Sequence, residues 1–180
     1  MNFIELIEKR YSVRWYKNQA IEKEKLEICL EAARLAPSAS NSQPWKFIIV
    51  DEPVLKDKVA KATIGPLSSF NKFALQAPVI LVIVLEKPKI ITQIGTRIKE
   101  KEWPLIDIGI TAEHFCLQAA EIGLGTCMIG WFNEAEIMKL LNIPSKRSIG
   151  LLITVGYPNE DVDKHKYRKE MTSIVTKNKY

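Results

Sequence analysis

Patterns typical of metal sites and of disulfide frameworks are missing from this chain of 180 residues. It contains three cysteines, Cys29, Cys116 and Cys127, and only two histidines. The number of cysteines is odd and their spacing is not that of metal ligands, so we expect reduced thiols and no metal site. Reduced thiols are typical of a cytoplasmic protein.

Long apolar runs are missing as well. No stretch reaches the roughly 18 residues that a membrane-spanning helix needs, so no membrane association is expected. Glu5 lies where a signal peptide would carry basic residues, so we also expect no signal peptide. With 47% hydrophobic and 26% charged residues, the composition predicts a single globular domain over 1–180.

The net charge is positive, +5, and the basic residues are concentrated in 9–25, 87–101 and 164–179. A basic protein is a candidate for nucleic-acid binding, but the sequence has no helix-turn-helix, zinc-finger or RNA-binding signature. A small phosphorylated ligand needs only a few converging cations. The charge pattern therefore favours such a ligand over nucleic acid.

The segment 36–45 has the sequence APSASNSQPW and is the most distinctive part of the chain. Its two prolines restrict the backbone, and the serines, asparagine and glutamine between them offer hydrogen-bonding groups that do not titrate. These groups suit a flat polar ring but supply no acid, base or nucleophile. The alternative from composition alone is a Ser/Asn-rich turn that redirects the chain.

A second polar motif, RYSVR, occupies residues 10–14. In an extended segment Arg10, Ser12 and Arg14 project to one side, since side chains alternate along a strand. Two guanidinium groups and a hydroxyl on one side match the oxygens of a phosphate. The alternative is a charged edge strand without a ligand.

Hydrophobic periodicity and capping signals predict an α+β fold with one sheet and helices on both faces. Seven consecutive apolar residues at 79–85 predict a strand that is covered on both sides. The apolar stretch 171–175 is a further candidate strand. Helices are predicted over 3–9, 21–35, 53–62, 104–122 and after Asn133, and strands over 46–50, 79–85, 126–130 and 149–155.

The helix predicted over 104–122 is apolar around most of its circumference. Such a helix requires burial on more than one side, and in a domain of this size we expect the second side to be another subunit. His114 is then an interface or core residue and not a catalyst. The narrow polar stripe of this helix consists of Asp107, Thr111, His114, Gln118 and Glu121.

Two further segments leave their function open. The glycines at 123–125 follow a helix instead of preceding one, which excludes a dinucleotide-binding fingerprint. The polar segment 87–103 is either a flap near a site or a surface insertion.

Four separated motifs together make the sequence resemble the FMN-dependent nitroreductase family in its compact form, over nearly the whole chain. The first two are the segments 10–14 and 36–45. The third runs from the glycines at 123–125 to the segment MIGWF at 128–132, and the fourth combines GYP at 156–158 with KYR at 166–168. Tyr11 and Ala39 depart from residues that are common in the family, a second Arg and a Ser respectively.

The resemblance implies a three-layer sandwich with a mixed, mostly antiparallel sheet, and a homodimer with two FMN sites at its interface. Residues 157–180 are implied to form an extension that embraces the partner subunit. The phosphate and ribityl chain are implied to be held by Arg10, Ser12, Arg14, Lys166 and Arg168. The ring is implied to be approached by Pro37, Ser38, Ala39 and Asn41 of the partner chain and by Ile129, Gly130 and Trp131, with a further contact near 68–72.

The implied activity is the transfer of two electrons from NAD(P)H, by a ping-pong mechanism, to a nitroaromatic, a quinone or a similar electron-poor acceptor. No residue of the chain is assigned a catalytic role, because the flavin carries the redox chemistry. Two alternatives remain: a flavin-dependent reductase of another acceptor, such as an activated alkene or an azo compound, and a non-catalytic protein that binds or delivers flavin.

Overall fold

The computed structural model describes residues 1–65, 70–87, 102–159 and 166–180. Residues Ala39–Asn41 and Lys72–Leu75 form 3-10 turns. The other elements, in chain order, are helix α1 (Phe3–Lys9), helix α2 (Lys23–Arg34), strand β1 (Trp45–Val50), helix α3 (Pro53–Lys61), strand β2 (Val79–Leu85), helix α4 (Trp103–Glu121), strand β3 (Gly125–Ile129), helix α5 (Glu134–Leu140), strand β4 (Ser148–Gly156) and the short helix α6 (Met171–Ile174).

The four strands form one sheet in the order β1-β2-β4-β3, and each neighbouring pair is antiparallel. Strand β2 is central, and its side chains alternate between two separate apolar cores. Ile80, Val82 and Val84 belong to one core, whereas Val79, Leu81 and Ile83 belong to the other. The prediction that 79–85 is covered on both faces is therefore confirmed.

Helices cover both faces of this sheet. The core on one face includes buried residues of α2 and α4, and the core on the other face includes residues of α3 and α5. This arrangement confirms the α+β prediction and the three layers. In the described ranges, the parallel component is limited to an isolated bridge between Ser12 and Thr126.

The predicted elements lie within about two residues of the observed ones, and local signals account for several ends. Asn2 caps α1 in a reciprocal capping box with Glu5, which satisfies backbone donors at the helix start. Asn133 likewise accepts a hydrogen bond from the Glu136 backbone N–H at the start of α5.

One element differs from its prediction, and one question lies largely outside the structure. The stretch 171–175 is not a strand: Met171–Ile174 form a single exposed helical turn, since no strand lies beside it in the described part of the chain. The question whether 87–103 forms a flap falls mainly on 88–101, which are outside the described residues. Among the described helices, none has both the length and the apolar character of a membrane span.

Candidate functional site

Residues 10–16 run along the outer edge of β3. The Val13 N–H donates to the Thr126 carbonyl oxygen at 2.9 Å, and Val13 and Tyr16 are 3% and 4% exposed. The buried Tyr16 hydroxyl lies 2.8 Å from Thr154 Oγ1. Two buried side chains thus fix the segment against the sheet, and the backbone carries Arg10, Ser12 and Arg14 in a defined register.

Arg10, Ser12 and Arg14 all act on the pKa of the buried Cys127 thiol. Burial raises the pKa of the Cys127 thiol, whereas the Arg14 charge, a hydrogen bond with Ser12 and the Arg10 charge act in the lowering direction. All three residues therefore lie close to one thiol. The Arg14 guanidinium also lies over the Phe73 ring, 5.8 Å from its centroid, within the range of a cation–π contact.

The basic residues of the tail join this cluster. Lys166 Nζ donates to the Ile7 carbonyl oxygen at 2.5 Å, which places the ammonium group beside α1. Burial lowers the pKa of Lys166, and the charges of Arg10 and Arg168 lower it further. Cations from residue 10 and residues 166–168 are thus neighbours in space, although more than 150 residues separate them in sequence.

Glu113 is the acidic neighbour of this cluster. Arg10 Nε lies 3.2 Å from Glu113 Oε1, and the two side chains are 20% and 43% exposed. Glu113 and Glu8 act on the pKa of Lys166 in the raising direction, but the net direction is still downward. Three cations, Arg10, Lys166 and Arg168, thus face these two carboxylates, and an excess of positive charge suits a site that takes an anion.

The loop 37–43 has an unusual backbone. Ser40, Asn41 and Gln43 have φ of 54°, 50° and 46°, in the left-handed region that costs a residue with a side chain about 1–2 kcal/mol. Within the loop, the Gln43 N–H donates to Ser38 Oγ at 2.9 Å and Gln43 Nε2 donates to Asn41 Oδ1 at 2.9 Å. Local bonds of this kind define the shape of the loop but leave it largely exposed to solvent.

The polar stripe of α4 holds this loop and the end of α2. The Ala39 N–H donates to both carboxylate oxygens of Asp107, at 3.1 and 3.3 Å. Thr111 Oγ1 donates to the Ala33 carbonyl oxygen at 2.7 Å, and His114 Nδ1 lies 3.3 Å from the Ala32 carbonyl oxygen. The prediction that His114 is a core or interface residue agrees with this contact, because the stripe satisfies backbone groups that the helix end leaves open.

The loop and the cationic cluster contact different sides of α4. Asp107, which binds the loop, and Glu113, which binds Arg10, are six positions apart on the helix. At about 100° and 1.5 Å per residue, they are separated by roughly 120° around the axis and roughly 9 Å along it. One chain therefore presents the two groups of predicted ligand residues in different directions.

The third predicted group follows β3. Ile129 is buried, Gly130 is exposed and Trp131 is 75% exposed. The Asn71 side chain Nδ2 donates to the carbonyl oxygens of Trp131 and Thr63, both at 3.0 Å. The segment 129–131 is therefore fixed to the turn after α3. Asn71 becomes the residue of interest in the region 68–72, of which residues 68 and 69 are outside the described residues.

Two residues of this site had no clear signal in the sequence. Glu113 belongs to no motif, and only the contact with Arg10 distinguishes it from a surface carboxylate. Asn71 lies in a segment whose periodicity predicts no element. In the parts of the chain that the structure covers, no group of three or more His, Cys, Asp or Glu residues is arranged to hold a metal ion.

Comparison with known proteins identifies the family of the chain. The sequence model of the nitroreductase family matches residues 7–72 and 68–157 of the chain, which include the predicted ligand residues up to Trp131. The cations at 166 and 168 lie beyond the matched range.

Three relatives illustrate the similarity. A solved FMN-dependent nitroreductase from Clostridium difficile is 30% identical, with a TM-score of 0.81 over 99% of this chain and 100% of that one. A protein of Archaeoglobus fulgidus, whose name proposes an NADH dehydrogenase or NAD(P)H nitroreductase activity, is 30% identical over 89% of this chain and 87% of its own length. An iodotyrosine deiodinase of Thermotoga neapolitana is 26% identical over 89% of this chain and 91% of its own length.

Proposed function

Because the chain belongs to the nitroreductase family, a family of enzymes, we propose that it is an FMN-dependent oxidoreductase. It passes two electrons from NAD(P)H to an electron-poor acceptor, such as a nitroaromatic or a quinone, by a ping-pong mechanism. The observation that carries the proposal is the cluster of Arg10, Lys166 and Arg168 beside α1, where burial and then the charges of Arg10 and Arg168 lower the pKa of Lys166.

The cluster fits the phosphate of FMN in charge and in donor chemistry. A phosphate monoester carries close to two negative charges at neutral pH and accepts hydrogen bonds on three oxygens. Arg10, Arg14, Lys166 and Arg168 supply cationic donors, and Ser12 supplies a hydroxyl. Cys127 lies among three of these residues, and burial raises its pKa, so the thiol adds no competing negative charge.

The flavin, when bound, supplies the redox chemistry, and the residues of the chain bind it, orient it and leave one face of its ring accessible. Ile129, Gly130 and Trp131 are assigned to the ring because they continue from the edge strand beside Ser12. Asn71 supports the assignment, since its carboxamide holds the carbonyl group of Trp131 in place.

We further propose that the active unit is a homodimer with shared sites. Exposed contiguous apolar surface marks interaction sites. Helix α1 has no buried residue, and its apolar side chains Phe3 and Ile4 are 64% and 62% exposed. On the neighbouring α4, Ile106 is 51% exposed. Pairing through these helices would bring the 37–43 loop of one chain towards the cations of the other. A shared site of this kind is needed because, within one chain, the loop and the cations lie on different sides of α4.

The C-terminal residues complete this proposal. Residues 167–180 are exposed throughout, and Met171, Ile174 and Val175 are between 57% and 68% exposed. Burial of these exposed apolar side chains against another chain would stabilise the assembly. We therefore assign 157–180 to an extension that embraces the partner, while 1–180 form one domain. Three buried free thiols support a cytoplasmic location.

A second candidate function is the reduction of a different acceptor by the same flavin. The similarity to an iodotyrosine deiodinase favours it, because that relative acts on a halogenated aromatic substrate according to its name. The two candidates share the cofactor and differ only in the second half of the reaction.

The test is an absorbance spectrum of the purified protein followed by rapid mixing with NADH or NADPH. The proposal expects a yellow protein with about one FMN per chain, rapid bleaching by at least one nicotinamide, and reoxidation by a nitroaromatic or quinone. A flavoprotein that bleaches slowly with both nicotinamides would be a binding or delivery protein. A colourless protein without flavin affinity that binds DNA in a salt-sensitive manner would overturn the proposal entirely.

A further inference from the structure

Asp107 is a buried carboxylate, 3% exposed, that no step of the proposed reaction uses. Burying a carboxylate is costly unless hydrogen bonds compensate for the lost hydration. Both of its oxygens are directed at the same donor, the Ala39 N–H, at 3.1 and 3.3 Å. Within the described residues, the hydrogen bonds of this carboxylate both involve one N–H group, which belongs to the loop 37–43.

The loop needs an external restraint. Of the five non-glycine residues with positive φ in the described residues, three, Ser40, Asn41 and Gln43, lie here. Such conformations persist only where the surroundings impose them. The hydrogen bonds inside the loop that involve Ser38, Asn41 and Gln43 side chains are exposed to solvent and compete with water. The bond to Asp107 instead joins the loop to a buried position on α4.

We propose that Asp107 is a positioning residue, whose carboxylate holds the Ala39 N–H and so keeps the loop 37–43 in the conformation that receives the flavin bound by the partner subunit. The inference rests on the proposed function for the identity of the ligand. It does not rest on that function for the restraint itself, which is a property of the chain alone.

The mechanism is preorganisation. A loop that is already in its binding conformation does not lose conformational freedom when the ligand arrives, so the affinity is higher than for a mobile loop. Removal of the restraint should leave the phosphate cluster intact, because Arg10 contacts α4 at Glu113 and not at Asp107. The expected defect is thus weaker flavin binding, while the cationic cluster proposed for the phosphate stays intact.

Three variants separate positioning from general stability. Asp107→Asn keeps an acceptor oxygen, whereas Asp107→Leu keeps the branching at Cγ but has no acceptor. Thr111→Val lies one turn further along the same stripe and removes the hydrogen bond to the Ala33 carbonyl oxygen. It therefore destabilises the packing of α4 against α2 but removes no contact with the loop. The measurements are the hydrogen-exchange rate of the Ala39 amide, the FMN dissociation constant and the urea midpoint of unfolding.

For Asp107→Leu we expect Ala39 exchange and the FMN dissociation constant each to rise by roughly tenfold or more, the effect of losing one charge-assisted hydrogen bond. Asp107→Asn should stay within about threefold of the wild type in both, since a neutral hydrogen bond is retained. Thr111→Val should lower the urea midpoint and leave both quantities unchanged.

Wild-type exchange and affinity in Asp107→Leu would overturn the proposal, and so would an equal loss of affinity in Thr111→Val. If Asp107→Leu does not fold, Asp107→Ala takes its place, and wild-type exchange and affinity in that variant overturn the proposal as well. If the wild-type protein binds no FMN, the proposed function fails, while the exchange rate of Ala39 still decides whether Asp107 restrains the loop.

Discussion

Gly125 and Gly156 are paired across β3 and β4, and the N-terminal segment packs over both. A Cβ atom on Gly125 would lie 2.5 Å from Val13 Cγ2, and one on Gly156 would lie 2.7 Å from the Tyr16 ring. Side chains at either position would therefore displace the segment that carries Arg10, Ser12 and Arg14. The close approach of backbone to side chain is the reason that both positions require glycine.

Gly125→Ala should lower the free energy of unfolding by about 1–3 kcal/mol, the usual cost of overpacking a core. It should also weaken FMN binding, because Val13 lies between Ser12 and Arg14. The double variant Gly125→Ala/Val13→Ala removes the closest atom, Val13 Cγ2, and should recover part of the affinity. Urea denaturation and flavin titration measure both effects, and an affinity in the double variant below that in Gly125→Ala would contradict this explanation.

Arg14→Ala and Arg168→Ala should each weaken FMN binding by about 1.5–3 kcal/mol, the net value of a hydrogen bond to a charged group. Arg34→Ala is the matched control: Arg34 is exposed and pairs with Glu31 on α2, away from the cluster. Flavin affinity is measured by fluorescence titration at fixed ionic strength. Unchanged affinity in both variants would mean that the phosphate binds elsewhere.

Flavin affinity should fall as the pH rises through the alkaline range. In the chain without flavin, burial and, to a smaller extent, the charges of Arg10 and Arg168 hold the pKa of Lys166 below its ordinary value. A bound dianion would raise this pKa again. Binding therefore takes up a proton, so affinity is highest at pH values where the free Lys166 is already protonated and declines above its pKa. Lys166→Arg, whose guanidinium stays charged, should bind FMN with a weaker dependence on pH; an identical pH profile would exclude Lys166 as the titrating group.

Ile106→Lys should dissociate the dimer and leave the fold of each chain intact. Ile106 is 51% exposed in the single chain, so a lysine there is tolerated in a monomer but leaves an unpaired charge in an interface. Val54→Lys is the control, since Val54 is 62% exposed on α3, on the other face of the sheet. Sedimentation velocity distinguishes the outcomes, and a stable wild-type monomer loaded with flavin would refute the shared site.

A heterodimer tests the sharing directly. Arg14→Ala damages the cationic cluster and Asn41→Ala damages the loop, and both homodimers should be weak. In a mixed dimer one site receives both lesions and the other receives neither, so activity per dimer should return to about half of the wild-type value if the sites act independently. Two differently tagged chains allow the heterodimer to be isolated. No recovery would show that Arg14 and Asn41 of one chain serve the same flavin.

Most helices and strands, and most of the residues proposed to bind the flavin, are predictable from the sequence alone. The seven apolar residues of β2, the capping box at Asn2 and the side-chain cap at Asn133 are local signals. Local signals are sufficient where a segment is buried on both faces or begins at a capping residue. The motifs at 10–14 and 36–45 are also continuous in sequence. Their chemical character is therefore visible without a fold.

Which of these residues lie close together depends on the folding of the whole chain. Lys166 and Arg10 become neighbours because the tail returns to α1, and a contact over that separation leaves no periodic signal in the chain. Asp107 and Glu113 belong to one helix, yet one binds the loop and the other binds Arg10. The direction in which each side chain points follows from the packing of α4 against α2 and the sheet, and the sequence specifies that packing only through the complete set of contacts in the core.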